Sequence, residues 1–542
     1  MKKKVLPIIL ATAMAMSAIA PVAAFAGETE AAAAPHESSR DTLNIVTNND
    51  HGNVNSAESI GDNSQVLISL CTNYLFDYYR NGDAIDYGVC DRSLAEDYKL
   101  DDDNMGVTIN LRKGVKFQNG TDFTAEDAKF SFNFFKNYSG MEFVDFDNIE
   151  AKDDTTLYIP FTKVYSGALT KVGYIPMWSE KYFDEVGQDT SVFFHDAPIG
   201  TGAYQITEYI KDDHVNLVAF DDYFQGTPAI KNINLRFISE PTVRFSELET
   251  GGCDYLYTLT GADIQAMDSG DYEGQLEMYQ QPMKDAFTLG FNGYSDIWQD
   301  IRVRQAFCYA IDRHSCVTAY DGSGDDMWTI LANDGGKLTE FKDDDWFYPY
   351  DPDKAAALLD EAGFVDADGD GMRDKPDGSP LQIRFLFLGT NPTYSTIGEI
   401  LKNNLAQVGV DLEMKGYDVG TYDEAMRNDV NDWDLLEMNF EGATTAKGWD
   451  ITPQIYMTAY GHADQFDTWD DYMKTWIEPL QNEVDQDKFW EKFHDFEQHI
   501  LTDYLYYYPV VKKLDSSAYT VDLKGFDRIG CHTINAYNAY FE

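Results

Sequence analysis

The chain has 542 residues, of which 93 are acidic and 41 are basic, giving a formal net charge of -52 at pH 7. This charge repels polyanions, which excludes nucleic acid as a partner and disfavours anionic lipid surfaces. The length exceeds the size at which one hydrophobic core stops growing, so we expect at least two domains. The simplest interpretation of the charge is a solvated surface that keeps the protein soluble, and a preference for cationic ligands is the alternative.

The N-terminus has the pattern of a secretory signal peptide. Lysines at 2–4 precede an apolar run at 5–20, and a small-x-small cleavage pattern ends at Ala26. We therefore expect an exported protein, either periplasmic or extracellular and associated with the cell surface. No cysteine occurs before Cys71, so no lipobox thiol is seen, and the means of retention at the cell surface stays open.

The first predicted strand, at 42–46, opens into a polar loop that contains Thr47, Asn49 and His51. A polar loop at the carboxyl end of a strand is a common ligand position in α/β folds. A plain surface turn fits the same residues equally well. A helix is predicted to follow at 64–79, because its apolar residues recur at helical spacing.

Further along, a strand is predicted at 107–111, and Thr124 with Asp127 forms a capping-box pattern that starts a helix. Gly200 and Gly202 then allow either a close backbone approach or a positive φ. The lysine and hydroxyl residue of a phosphate-binding P-loop are missing there, so a turn is the better interpretation.

A change of period marks the middle of the chain. Residues 286–291 form a short apolar run rich in phenylalanine and bounded by Asn292 and Gly293, which predicts a strand buried on both faces. After Asp300 the apolar residues recur at helical spacing over 303–311, which predicts a helix packed on a core. This segment is therefore predicted to pass from one hydrophobic core into a second one.

Six cysteines are too few for a disulfide framework in a chain of this length, and buried thiols are the default expectation. Two of them are eight residues apart, about 12 Å along one helix if the helix extends that far, which is beyond disulfide reach. The sequence leaves all pairing open. The six are Cys71, Cys90, Cys253, Cys308, Cys316 and Cys531.

An acidic run at 366–377 has the spacing of a calcium-binding loop, with a glycine at the sixth position. The final ligand position holds Asp377, which is shorter than the usual glutamate, and acidic turns of this kind also form plain hairpins. A hairpin without metal is therefore the alternative to a structural calcium site. The candidate ligands are Asp366, Asp368, Asp370 and Asp374.

After a helix that begins with Asp351 as N-cap and Pro352 in its first turn, the pattern alternates between strands and helices. Strands are predicted at 381–388, 410–414 and 433–440, with helices between them. This βαβαβ order predicts a mostly parallel sheet with right-handed crossovers, whose ligand-facing edge is formed by the carboxyl ends of the strands.

Several runs of the chain resemble one family in the same order. They are SLAEDYKLDDDNMGVTINLRKGVKFQNGTDFTAEDAKFSF from residue 93, LGFN followed by DIRVRQAFCYAIDR from 289, and YDPDKAAALLDEAGF from 350. These runs resemble the oligopeptide/dipeptide/nickel class of extracellular solute-binding proteins, solute-binding protein family 5, which serve ABC importers. The resemblance implies an α/β, two-lobed periplasmic-binding-protein-like fold of the class II, cluster C type, with an extra small subdomain in the first lobe.

The resemblance also implies two crossings between the lobes, near 287–291 and near 506–510, which allow the lobes to hinge around a solute. The divisions it implies are a signal peptide at 1–26, a flexible tether at 27–41, lobe I at 42–82, an inserted small subdomain at 83–197, lobe I again at 198–287, lobe II at 288–506 and a return to lobe I at 507–542.

The loop after the third parallel strand is the main candidate for ligand recognition. In peptide-binding members of the family, an aspartate shortly before a proline receives the peptide's amino group. Asp450 lies three residues before Pro453, whereas four is more usual, and Glu441 is an available substitute. A carboxylate in a water-excluding cleft pairs strongly with an ammonium group, although Asp450 capping the next turn is an alternative. The neighbouring candidates are Phe440, Gly442 and Trp449, with Tyr507 near the cleft or in the core.

No sequence pattern supports catalysis. The chain lacks HExxH, GxSxG, CxxC and P-loop motifs, and its nine histidines form no i, i+4 pair. We therefore expect a monomeric binding protein, not an enzyme, that needs no cofactor apart from the calcium considered above. Its expected ligand is a short peptide and its expected partner is an ABC permease. A nickel chelate, for which His51 is a hint, or an oligosaccharide is the alternative in the same fold, and a secreted hydrolase is the alternative of another class.

Overall fold

The structure is a computed structural model of the whole chain. It describes residues 37–48, 54, 64–81, 84–136, 141–196, 198–320, 322–330, 348–429, 431–441, 473–529 and 533–542.

The described strands are β1 Thr42–Thr47, β2 Asp77–Asn81, β3 Ala84–Gly88, β4 Ala95–Leu100, β5 Gly106–Leu111, β6 Glu150–Asp153, β7 Thr156–Pro160, β8 Tyr204–Ile210, β9 His214–Ala219, β10 Asn232–Phe237, β11 Tyr255–Leu256, β12 Leu276–Phe291, β13 Gly324–Asp326, β14 Gln382–Leu388, β15 Asp411–Tyr417, β16 Leu435–Glu441, β17 Tyr507–Thr520, β18 Leu523–Lys524, β19 Asp527–Ile529, β20 Thr533–Asn535 and β21 Tyr540–Phe541.

The described α-helices are α1 Ser64–Cys71, α2 Ala125–Phe134, α3 Ala168–Gly173, α4 Glu180–Glu185, α5 Pro241–Glu249, α6 Gly261–Asp268, α7 Ile301–Ala310, α8 Arg313–Thr318, α9 Pro352–Glu361, α10 Pro392–Ala406, α11 Val419–Asn428, α12 Glu478–Gln481 and α13 Gln486–Gln498. Short 3₁₀ turns lie at Phe146–Asn148 and Asp296–Trp298, and π-helical turns at Val192–Asp196, Met473–Ile477 and His499–Tyr504.

One 11-stranded sheet runs through both lobes, in the order β15-β14-β16-β12-β17-β11-β1-β10-β9-β8, with β13 paired to β17. At one end, β14 pairs in parallel with both β15 and β16, which confirms the predicted parallel βαβαβ unit. Towards the other end, β1 pairs in parallel with β10 and β11. The α/β two-lobed fold is therefore as predicted, with a parallel unit in each lobe.

The second-lobe sheet is covered on both faces, as its nearly continuous apolar strands require. Phe385 and Leu435 pack into a core with helices α7, α9 and α10. Their chain neighbours Leu386 and Leu436 point to the opposite face and pack with α11, α12 and α13. The alternation of side chains along each strand thus fills two cores at once.

The predicted small subdomain contains a four-stranded sheet in the order β4-β5-β7-β6. Its core residues Val107 and Phe132 belong to the same hydrophobic cluster as Leu43 of β1. This cluster is called the first-lobe core below. The subdomain therefore shares its core with the rest of the first lobe, and the predicted limits at 83 and 197 stay predictions.

The helix predicted at 64–79 is wrong in its second half, because α1 ends at Cys71 and β2 begins at Asp77. The carbonyl oxygen of Cys71 accepts hydrogen bonds from the Gln118 side chain at 3.0 Å and from the Gly202 N–H at 2.9 Å. In a longer helix, the carbonyl oxygen of Cys71 would accept a hydrogen bond from the next turn. Because it accepts these two bonds from distant residues instead, tertiary contacts end the helix here.

The five cysteines among the described residues are free thiols, and all except Cys90 are buried. Cys308 lies on α7, which ends at Ala310, and Cys316 lies on the separate helix α8, so they do not share one helical face. Cys531 lies outside the described residues. Among those residues no helix combines the length and the apolar composition that a membrane crossing requires.

Candidate functional site

The two lobes are joined by the long antiparallel strands β12 and β17. Their pairing extends from Leu276 opposite Thr520 to Gly290 opposite Tyr507, with one shift of register between Pro282 and Ala286 and a second between Phe287 and Thr288. The first part of β12 pairs with the part of β17 that lies beside β11 of the first lobe, and the second part of β12 also pairs with β16 of the second lobe. Two adjacent strands therefore carry the chain between the lobes, as the family resemblance implied. The register shifts lie in the stretch of β12 where the chain passes from one lobe to the other.

The strand directions turn the carboxyl ends of both parallel units towards this crossing. β11 runs parallel to β12, and β1 runs parallel to β11, so both end facing the second lobe. β16 runs antiparallel to β12 and ends with Glu441 opposite Asp285, facing the first lobe. Ligand sites of α/β sheets lie beyond such carboxyl ends, so the space between the two sets is the candidate site.

The registers also set the width of this space. Leu256, the last residue of β11, is level with Ala518, which is opposite Met278 of β12. Glu441 is opposite Asp285, so the two strand ends are 285 − 278 = 7 residues apart along β12. At about 3.3 Å per residue, the two strand ends are offset by at most about 23 Å along β12.

A buried polar cluster lies where β17 crosses into the first lobe. Asp515 of β17 forms an ion pair with Arg528, and Gln281 of β12 donates to the same carboxylate at 3.4 Å. Arg528 also donates to the carbonyl oxygen of Tyr257 at 2.8 Å, and its guanidinium lies 3.7 Å from the centre of the Tyr257 ring. These contacts fix the crossing strand to the end of β11 and so position the first-lobe side of the site.

Of the predicted first-lobe site residues, the structure describes Thr47, the last residue of β1. Its side chain is fully buried, and its hydroxyl donates to the Asn48 side chain at 3.3 Å. Thr47 is thus at the predicted strand end, facing the crossing. Asn49 and His51 lie outside the described residues, and their contact with a ligand stays a prediction.

Of the predicted second-lobe site residues, Phe440 and Glu441 are the last two residues of β16. Their backbones pair with Ala286 and Asp285 of β12, so the structure brings this strand end to the crossing. Gly442, Trp449 and Asp450 lie outside the described residues. Ligand contact by all five of these residues stays a prediction.

Tyr507 lies at the start of β17, opposite Gly290 and on the second-lobe side of the register shift. It is 1% exposed and packs in the second-lobe core with Leu436 and Phe493. This placement corresponds to the core-packing alternative, and a ligand contact stays a prediction. Val511, further along β17, also packs in a second-lobe core, and the predicted boundary at 506/507 stays a prediction.

Glu437 is a buried carboxylate near the same strand ends that the sequence patterns did not single out. It is 1% exposed, and one of its oxygens accepts a hydrogen bond from the Leu388 N–H at 3.3 Å. Its Oε1 has no hydrogen-bond partner among the described residues. Burial raises the pKa of Glu437 to about 7, although the Leu388 N–H and the charge of Lys513 act in the opposite direction. The signal in the sequence was an acidic residue that directly follows Leu435 and Leu436 and precedes Met438 within the strand.

The predicted calcium loop forms an exposed hairpin, with bridges from Asp374 to Val365 and to Pro380. Oxygens of Asp366, Asp368 and Asp374 lie within 4.8 Å of one another, whereas Asp370 is not part of this group. Both oxygens of Asp366 accept backbone N–H bonds, from residues 369 and 371, at 2.7 and 3.0 Å. Carboxylate oxygens suit Ca²⁺, but the hairpin alternative fits the same geometry, so calcium stays a prediction.

The family model for bacterial extracellular solute-binding proteins, family 5 (middle), matches residues 92–465, which is more than half of the chain. Heme-binding protein A of Haemophilus influenzae is 26% identical over 358 residues, covering 61% of this chain and 62% of that protein. The dipeptide-binding protein of Escherichia coli is 27% identical over 357 residues, covering 61% of this chain and 64% of that protein.

These matches span less than two thirds of the two relatives' own lengths. The solved structure of the oligopeptide-binding protein AppA from Bacillus subtilis, in complex with a nonapeptide, superimposes with a TM-score of 0.69 at 20% identity. That superposition covers 94% of this chain and 100% of AppA, and it supports the two-lobed fold. By its family match, this chain belongs to the bacterial extracellular solute-binding proteins of family 5.

Proposed function

We propose that the protein captures a short peptide outside the cytoplasmic membrane by hinged closure of its two lobes, and then delivers the peptide to the permease of an ABC importer. The observation that carries this proposal is the paired crossing of β12 and β17, which turns the carboxyl ends of two parallel sheet units towards each other. Such a site can bind a solute from both sides and release it when the lobes separate.

A peptide suits this site for two reasons. Strand ends offer backbone N–H and C=O groups that can pair with the main chain of a peptide of any sequence. A carboxylate on the second lobe, Asp450 or Glu441, would receive the peptide's amino group. The names of relatives that bind oligopeptides and dipeptides support the same ligand class.

The first test is mass spectrometry of solutes that co-purify with the protein, followed by calorimetric titration with di- to pentapeptides. We expect binding to free peptides and a loss of at least tenfold in affinity when the peptide's amino group is acetylated, because a buried charged pair is then broken. If the protein binds a nickel chelate or an oligosaccharide tightly and binds no peptide, then that solute, and not a peptide, is the ligand.

The anchoring carboxylate is identified by two matched variants, Asp450→Asn and Glu441→Gln. The variant that lacks the anchoring carboxylate should bind free peptides more weakly than wild type does. Acetylation of the peptide's amino group should then cause no further loss of affinity. The other variant should keep the wild-type difference between free and acetylated peptides. If neither variant changes that difference, neither residue is the anchor.

The proposal also includes export, a monomeric state and the absence of catalysis. N-terminal sequencing of protein recovered outside the cytoplasm should begin at Gly27, and light scattering should give the mass of one chain. Incubation with the bound peptides should return them intact. Measurable cleavage of peptide or glycoside would favour the secreted hydrolase instead.

A further inference from the structure

The small sheet region of the first lobe contacts the second lobe directly, away from the two crossing strands. The backbone N–H of Ser166 donates to the carbonyl oxygen of Gln481 at 2.6 Å. The chain neighbours Tyr165 and Ala168 belong to the first-lobe core, whereas Ile477 and Leu480 belong to a second-lobe core. This hydrogen bond therefore joins two different lobes through their main chains.

Both backbone groups lie at helix ends, where partners come from outside the helix. Gln481 is the last residue of α12, and the last carbonyls of a helix have no partner within it. Ser166 directly precedes Gly167, the N-cap of α3, so its N–H lies outside that helix. The negative end of one helix thus receives a donor from the entry of another helix in the opposite lobe.

The Ser166 side chain shows how closely the surfaces meet. Ser166 is 9% exposed, and its hydroxyl oxygen is buried without a hydrogen-bond partner among the described residues. A buried hydroxyl without a partner is costly, so the side chain is not what favours this contact. The favourable part of the contact is the main-chain hydrogen bond.

We propose that the hydrogen bond between Ser166 and Gln481 is a latch that forms when the lobes close and stabilises the closed state. The crossing strands β12 and β17 have shifts of register at which they can bend, whereas this bond joins atoms of the two lobes and is lost when the lobes separate. It adds the same free energy for every ligand, because it involves no ligand atom. The latch deepens the proposed function, on which its link to affinity rests.

The matched variants are Ser166→Pro, which removes the N–H, and Ser166→Ala, which keeps the N–H and removes only the hydroxyl. With the tightest-binding peptide of the di- to pentapeptide series, we expect Ser166→Pro to bind about fivefold more weakly than wild type, the effect of losing one net hydrogen bond. Ser166→Ala should bind within about twofold of wild type. Equal affinity of the Pro and Ala variants would overturn the latch.

A second measurement does not depend on peptide binding. In the double variant Ser166→Cys with Gln481→Cys, mild oxidation should form a disulfide between 166 and 481, which peptide mapping distinguishes from bonds to native cysteines. If no cross-link forms, either with or without peptide, the latch is overturned. This measurement alone tests the latch if the Ser166→Pro variant does not fold. If wild-type protein binds no peptide but the pair cross-links, the peptide proposal fails and the latch stands.

Discussion

Asp515 and Arg528 form an ion pair whose side chains are 6% and 2% exposed, at the point where β17 enters the first lobe. Charges buried this deeply are stable only when each is compensated by the other and by hydrogen bonds. Arg528 meets this condition through Asp515 and the Tyr257 carbonyl, and Asp515 through Arg528 and Gln281. The pair therefore fixes the crossing strand to the first lobe.

Asp515→Asn should lower the free energy of unfolding by about 3 kcal/mol, because it leaves the Arg528 guanidinium buried without its counter-charge. Urea unfolding followed by tryptophan fluorescence measures the change. The matched control is Glu185→Gln, which breaks the exposed pair between Lys181 and Glu185 and should change stability by less than about 0.5 kcal/mol. A similarly small effect of Asp515→Asn would show that the buried pair is not essential to the fold.

Glu437 should make stability depend on pH. Its folded-state pKa is about 7 and lies above the ordinary value of 4.5, so the folded protein holds this proton more tightly than the unfolded chain. The stability that Glu437 contributes through its bound proton is fully present below about pH 4.5. It is lost as the pH rises to about 7, which lowers the free energy of unfolding by roughly 3 kcal/mol in total.

Glu437→Gln removes this dependence, because the amide does not ionise. The difference in unfolding free energy between variant and wild type should shift in favour of the variant between pH 4.5 and pH 8, measured by urea unfolding at several pH values. The exposed residue Glu413 of β15 provides the control, since Glu413→Gln makes the same chemical change on a side chain that is not buried. A constant difference for Glu437→Gln would contradict the raised pKa.

Gly202 should tolerate no side chain. A Cβ atom there would lie 2.3 Å from the carbonyl carbon of Cys71 and 2.5 Å from the carbonyl oxygen of Leu70, which are backbone atoms that cannot rotate away. We expect Gly202→Ala to destabilise the protein by about 3 kcal/mol, measured by chemical unfolding. Gly420→Ala is the control, because its Cβ would meet only Asp418, at 3.5 Å. Equal stability of the two variants would mean that the backbone at the end of α1 moves to make room for the added Cβ atom.

Calcium binding at the 366–377 loop should raise the melting temperature in millimolar Ca²⁺, the affinity range of extracellular calcium modules. Asp368→Asn removes one of the three clustered carboxylates and should abolish the rise, measured by differential scanning calorimetry with and without chelator. The exposed Asp102→Asn should keep the rise. No response of the wild-type protein to Ca²⁺ would leave the loop as a plain hairpin.

Local signals in the sequence predicted the elements that are held by local contacts. Asp351 caps α9 by accepting the N–H of Lys354, with proline in the first turn as expected, and Thr124 with Asp127 forms the expected capping box of α2. The parallel order of β14, β15 and β16 followed from the alternation of strands and helices, because a parallel pair needs a crossover. Patterns within a few residues of one another therefore predicted the parallel α/β unit correctly, whereas the two-lobed arrangement was implied by the family resemblance.

Features that depend on distant residues could not be predicted. The end of α1 depends on Gln118 and Gly202, and the environment of Glu437 depends on Leu388, 49 residues away along the chain. The partner of Ser166 lies in the opposite lobe. Periodicity carries no information about such pairings, which arise only when the whole sheet has assembled.

The position of β17 in the main sheet has a consequence for how the protein is made. β17 lies between β12 and β11, although its residues follow both of these strands in the chain. A nascent polypeptide that has not reached Tyr507 leaves the edges of β12 and β11 unpaired, and such edges are templates for aggregation. Truncation before this strand would thus leave β12 and β11 without the strand that joins them, and the main sheet can be completed only after residues 507–520 have been synthesised.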